Sequence, residues 1–86
     1  MSITVFRDSN YRGQQQTFSG EVANLRNVGM NDAISSLRMG RGDRWEVCED
    51  ANFRGRCEVI SGDERDLQAR RLNDRISSLR PVVGRR

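Results

Sequence analysis

Asn31-Asp32-Ala33-Ile34-Ser35-Ser36-Leu37-Arg38 returns as Asn73-Asp74-Arg75-Ile76-Ser77-Ser78-Leu79-Arg80, a shift of 42 residues. Extending outward from this pair, residues 3–39 overlay residues 45–81 without a gap. Val5, Asp8, Asn10, Arg12 and Gly13 meet Val47, Asp50, Asn52, Arg54 and Gly55. Ser19-Gly20 meets Ser61-Gly62, and Leu25 meets Leu67. Fifteen of 37 aligned positions are identical, so the chain is a tandem repeat of one unit. Gly40-Arg41-Gly42-Asp43 is a turn-forming link between the copies.

Each unit reads as β. Ile3-Thr4-Val5-Phe6 and Trp45-Glu46-Val47-Cys48 are rich in β-branched and aromatic residues. Asp8-Ser9-Asn10 and Asp50-Ala51-Asn52 are turn formers, followed by Gly13 and Gly55. Second strands are expected at 14–18 and 56–60. Residues 21–28 and 63–70 are expected to hold a short strand and then a helical turn, and last strands follow at 36–39 and 78–81, where Pro81 suits a strand end. Four strands per copy predict an all-β sandwich of two four-stranded Greek key motifs, with short helical turns before the last strand of each. One four-stranded unit cannot bury its apolar face alone, whereas two packed face to face can. The expected organisation is one domain over residues 1–83, with motif one at 2–40, motif two at 44–82 and a basic tail at 84–86.

Eighty-six residues fit one domain with a modest core, for which a metal, a disulfide or a partner would be a useful second source of stability. No 18-residue apolar run is present, which excludes a transmembrane helix. The opening Met1-Ser2-Ile3-Thr4-Val5 has neither the basic nor the apolar region of a signal peptide, so none is expected within these residues. The net charge is +3, and every basic residue is arginine. Four Arg face three acids within 3–39 and seven Arg face eight acids within 45–81, so the excess lies in the link and the tail. A nucleic-acid interface should cluster its basic residues inside the fold. A solvated mixed-charge surface is the better reading, and no nucleic-acid partner is expected. A DNA binder using Arg41, Arg44, Arg85 and Arg86 would show steeply salt-dependent affinity.

Two signatures resemble a known family. Phe6-x4-Tyr11-x-Gly13 matches the aromatic-x4-aromatic-x-Gly hairpin of βγ-crystallin Greek key motifs, and Cys48-x4-Phe53-x-Gly55 matches it with cysteine as the first residue. Both Asn-Asp-x-Ile-Ser-Ser stretches match that family's (Asn/Asp)-(Asn/Asp)-x-x-(Ser/Thr)-Ser calcium motif in full. The chain is similar to a microbial-type single domain of that family rather than a two-domain lens protein. The resemblance implies two calcium ions in sites shared between the motifs. The first would take the Ser35 hydroxyl, the Ala33 and Arg7 carbonyls and the Asp74 carboxylate. The second would take Ser77, the Arg75 and Glu49 carbonyls and Asp32. It further implies that Ser36 and Ser78 pin the folded hairpins rather than bind metal.

The residue chemistry agrees with that implication. Calcium takes six to eight oxygen ligands, and Asp, Ser and backbone carbonyls supply oxygen. The chain has no histidine, and its cysteines lie far from the motifs, which argues against zinc or copper. One carboxylate per site predicts modest affinity, about 10⁻⁶ to 10⁻⁴ M. At a hundredfold excess over its dissociation constant, each site would add about 2.7 kcal/mol of stability. Arg75 beside the second site predicts unequal affinities. Asn-Asp and Ser-Ser also serve as ordinary turn and cap residues, but the full double match favours calcium.

Cys48 and Cys57 flank the second hairpin. They can form a disulfide, which would imply an oxidising compartment such as the periplasm or the exterior. They can equally be two small buried thiols, one of them in the slot that Phe6 fills in the first copy. Catalysis has little support, because without histidine or lysine a serine nucleophile lacks a base. Asp63 and Asp66 read as a solvated pair, and the aromatic residues as packing. The expected protein is a non-enzymatic monomer. The alternative is a protein-interaction module of the same fold, such as a protease inhibitor presenting residues 40–44.

Overall fold

The computed structural model describes residues 1–30 and 32–83. Asn31 of the first signature and the expected basic tail at 84–86 lie outside the described residues. Among the described residues six strands form: β1 (Ile3–Asp8), β2 (Arg12–Phe18), β3 (Ser36–Met39), β4 (Trp45–Asp50), β5 (Arg54–Ile60) and β6 (Ser78–Pro81). They make two antiparallel three-stranded sheets, ordered β2-β1-β3 and β5-β4-β6. Short 3-10 turns at Leu25–Val28 and Leu67–Arg70 precede the last strand of each copy, as expected. Among the described residues, no helix is long and apolar enough to cross a membrane.

Alternation in β1 and β4 explains the sandwich. Ile3 and Val5, and likewise Trp45 and Val47, point into a shared core and are fully buried. Leu25 and Leu67 from the 3-10 turns, and Ile34, Leu37, Ile76 and Leu79 from the two signatures, join it together with Met30, Ile60 and Leu72. Phe6 and Cys48 face the other side of their sheets and are nevertheless buried, because each hairpin folds back over them. Two consecutive left-handed residues make that fold: Asn10 and Tyr11 (φ 61° and 60°) in one copy, Asn52 and Phe53 (φ 61° and 60°) in the other. Gly13 is required just beyond the bend. Its φ is +80°, and a Cβ there would stand 2.7 Å from the Asp8 carboxylate.

The strand expected within 21–28 and 63–70 contracts to one bridging residue in each copy, and it crosses to the other sheet. Val22 pairs with Leu79 of β6, and Glu64 pairs with Leu37 of β3. These segments lack apolar alternation, and their N-caps Asn24 and Asp66 turn the chain into the 3-10 helix almost at once. Each copy therefore completes the other's sheet, an interlocked Greek key arrangement. Cys48 and Cys57, opposite each other in β4 and β5, are joined in a disulfide with Cα atoms 4.1 Å apart.

Candidate metal centre

Each hairpin is fastened by the last serine of its own signature. Ser36 donates its hydroxyl to the Asp8 carbonyl (2.6 Å) and accepts the Tyr11 amide (3.0 Å). Ser78 does the same with the Asp50 carbonyl (2.6 Å) and the Phe53 amide (3.1 Å). Both side chains are completely buried. Their oxygens are thus engaged inside the protein, in the hairpin-pinning role expected of them.

The other signature residues are aligned by backbone bonds between the copies. The Asp32 amide bonds to the Ile76 carbonyl (3.0 Å), and the Asp74 amide to the Ile34 carbonyl (2.9 Å). Asp32 and Asp74 take left-handed backbone angles (φ 53° and 57°), which aspartate tolerates better than most residues. As a result each carboxylate faces the serine of the opposite copy. Ser35 Oγ lies 3.3 Å from Asp74 Oδ1, and Ser77 Oγ lies 3.3 Å from Asp32 Oδ1. Two oxygens each about 2.4 Å from a calcium ion, and roughly a right angle apart, would be about 3.4 Å from one another. The spacing of both pairs fits that ion.

The remaining predicted residues sit around these pairs. Arg7 and Glu49 each stand opposite a bulge, facing Gly13-Gln14 of β2 and Gly55-Arg56 of β5 respectively. Such a bulge re-aims the backbone locally. Neighbouring carbonyls fix the serines to it, since the Ser35 amide bonds to Phe6 O and the Ser77 amide to Cys48 O, each at 2.8 Å. The side chains of Arg7 and Glu49 turn elsewhere, to Gln14 and Arg56 respectively. Ala33 is buried beside Ser35, and Arg75 is exposed beside Ser77. Asp32, Glu49, Arg75 and Ser77 line one surface depression together with Asp50 and Asp74.

Sequence reasoning missed the second rim of that depression, formed by Asn24 and Arg26. Asn24 caps the first 3-10 turn by accepting the Arg26 amide, and Asp66 caps the second by accepting the Gln68 amide, each at 3.0 Å. The Leu25 amide bonds to Ser77 O and the Leu67 amide to Ser35 O, which brings each cap beside the opposite serine. A polar residue immediately before leucine in both copies was the available signal. The two centres consequently differ in charge: Arg26 and Arg75 accompany Ser77, while the repeat mates of these residues are Gln68 and Ala33, with Asp66 in place of Asn24.

Residues 2–82 match the family described as Beta/Gamma crystallin. A solved betagamma-crystallin domain from Flavobacterium johnsoniae is 36% identical, superposes with a TM-score of 0.83, and is covered over 94% of its length by 95% of this chain. A structure described under the evolution of the eye lens beta-gamma-crystallin domain fold is 29% identical, with a TM-score of 0.91 over 98% of this chain and 87% of that one. The epidermal differentiation-specific protein of Cynops pyrrhogaster is 45% identical over 38 residues, 44% of this chain, which spans only 11% of that protein's length.

Proposed function

We propose that this chain, which belongs to the beta/gamma crystallin family, is a non-catalytic binding domain that holds two calcium ions between its two repeats. The observation that carries the proposal is reciprocal: each repeat supplies a serine oxygen to one centre and a carboxylate to the other, at 3.3 Å in both. Ser35 and Asp74, with the Ala33 and Arg7 carbonyls, serve the first centre. Ser77 and Asp32, with the Arg75 and Glu49 carbonyls, serve the second. A bound calcium ion supplies positive charge that links a carboxylate on one repeat to neutral oxygens on the other. The hydroxyls and bulges preorganise those oxygens, and the buried signatures behind them limit how far they can spread.

The test is a calorimetric titration combined with melting curves in calcium and in chelator. Two equivalents should bind the parent protein. One equivalent should bind Asp32→Ala and one Asp74→Ala. At a hundredfold excess of calcium over its dissociation constant, each occupied site adds about 2.7 kcal/mol, or on the order of 10 °C in Tm for a domain of this size. Superimposable melting curves with and without calcium would sink the proposal.

A further inference from the structure

We propose that the Cys48–Cys57 disulfide sets the calcium affinity of the second centre, so that its reduction weakens that centre and leaves the first unchanged. This rests on the calcium reading above. The bond lies one residue before Glu49, which stands opposite the β5 bulge and whose carbonyl is assigned to the second centre. Cys48 O also holds the Ser77 amide, at 2.8 Å. The hairpin fastened by this bond carries Asp50 and Ala51, which line the same depression. One disulfide thus borders the second centre through both its bulge and its serine.

The first copy shows what the bond replaces. There Phe6 stands opposite Gln15, and its ring meets Tyr11 edge to face, with centroids 5.7 Å apart. Packing holds that hairpin without a covalent link. In the second copy the smaller Cys48 occupies the place of Phe6, completely buried, and the bond to Cys57 supplies the fastening that the ring provides in the first. Reduction replaces the bond by two thiols that must separate to van der Waals contact, which pushes β4 and β5 apart beside Glu49 and frees its backbone to shift. Glu46 lies with the two sulfurs in a group of donors within 4.8 Å, but the sulfurs are bonded to each other and Glu46 pairs with Arg80 at 2.8 Å, so no separate metal centre arises there.

The bond is also reachable. Cys57 is half-buried and lies on β5, at the edge of its sheet. A small dithiol or a dithiol protein is the reductant required. Its thiolate attacks the Cys57 sulfur, the S–S bond breaks and Cys48 leaves as a thiolate. The reductant's second thiol then displaces Cys57 from the mixed disulfide, so two electrons and two protons end on the cysteines and the reductant becomes a disulfide. Linkage requires the converse effect: calcium in the second centre must oppose reduction by the same factor.

The experiment isolates the centres with Asp74→Ala, which leaves the second, and Asp32→Ala, which leaves the first. Each is titrated with calcium in the oxidised state and in excess dithiothreitol, with thiols counted after desalting and the fold followed by Trp45 emission. Reduction should raise the Kd of Asp74→Ala about five- to twentyfold and change that of Asp32→Ala by less than about twofold. Calcium should slow reduction of Asp74→Ala and not of Asp32→Ala. In the Asp74→Ala protein, Cys48→Phe with Cys57→Gln, which copies the first repeat, should restore binding close to the oxidised value and abolish the response to dithiol. An unchanged Kd on reduction, or equal loss at both centres, would overturn the proposal. Absence of calcium binding by the oxidised parent would overturn the calcium reading itself, and this proposal with it.

Discussion

Ser36 and Ser78 each make two hydrogen bonds at a buried hydroxyl, so truncation to alanine leaves an amide and a carbonyl without that partner. Losing such a pair costs about 2 kcal/mol. The second hairpin has the disulfide in reserve, whereas the first is packed by non-covalent contacts such as Phe6–Tyr11. Urea unfolding of the oxidised protein should therefore show a larger loss for Ser36→Ala than for Ser78→Ala. At the proposed calcium centres the decisive residues are arginines. Two positive charges at roughly 8 Å from a divalent cation cost about 1 kcal/mol apiece in water before screening, roughly a fivefold change in affinity for each. The second centre, ringed by Arg26 and Arg75, should be the weaker. Arg26→Gln combined with Arg75→Ala should tighten it severalfold in a titration of Asp74→Ala protein, with the gain shrinking as salt is raised.

At the scale of elements, the second copy carries a charge ladder that has no counterpart among the described residues of the first. Arg56 pairs with Glu49 and Glu58 and donates to the carbonyls of Arg70 and Arg71 at the end of the second 3-10 turn. Arg70 continues the ladder to Glu58 (3.0 Å) and Glu64 (2.8 Å). In the first copy the positions of Arg56, Glu58 and Arg70 are Gln14, Gln16 and Val28. Burial alone would raise the Glu58 carboxyl, but hydrogen bonds from Arg70 and Arg56, and their charges, outweigh it and hold the group below its ordinary 4.5. Since the folded value is the lower one, the contribution is complete above 4.5 and is lost as pH falls through the folded value. Glu58→Gln should therefore flatten the fall in urea midpoint between about pH 5 and pH 3 relative to the parent.

For the whole molecule, the crossed bridges from Val22 to Leu79 and from Glu64 to Leu37 mean that neither repeat completes its own sheet. The core is also common property, with Leu25, Ile34 and Leu37 packed in one cluster with Leu67, Ile76 and Leu79. An isolated repeat would expose that apolar face and the unpaired edge of its last strand. Synthetic peptides of residues 1–42 and 43–86 should each be unfolded by circular dichroism and bind calcium at least about a hundredfold more weakly than the intact chain. Well-dispersed NMR spectra from either peptide alone would contradict the interlocked account.

Repetition made much of this legible in the sequence. Alternation placed β1 and β4, turn residues placed the hairpins, and the duplicated signature singled out Asp32, Asp74, Ser35 and Ser77, because these are local patterns with local causes. The segments at 21–28 and 63–70 were harder to read, since single-residue bridges carry no periodicity. Their partners lie nearly sixty residues away for Val22 and under thirty for Glu64. Two facts belong to the tertiary structure alone. Whether Cys48 and Cys57 were bridged depended on the β4–β5 register, which places them directly opposite each other. That Arg26 shares a depression with Ser77 depended on the crossing of the first repeat over the second. The sequence by itself determined which oxygens are available and in which repeat they lie, because residue identity and spacing settle that. Only the fold decided which oxygens meet and which charges surround them, because both follow from contacts between segments that are distant along the chain.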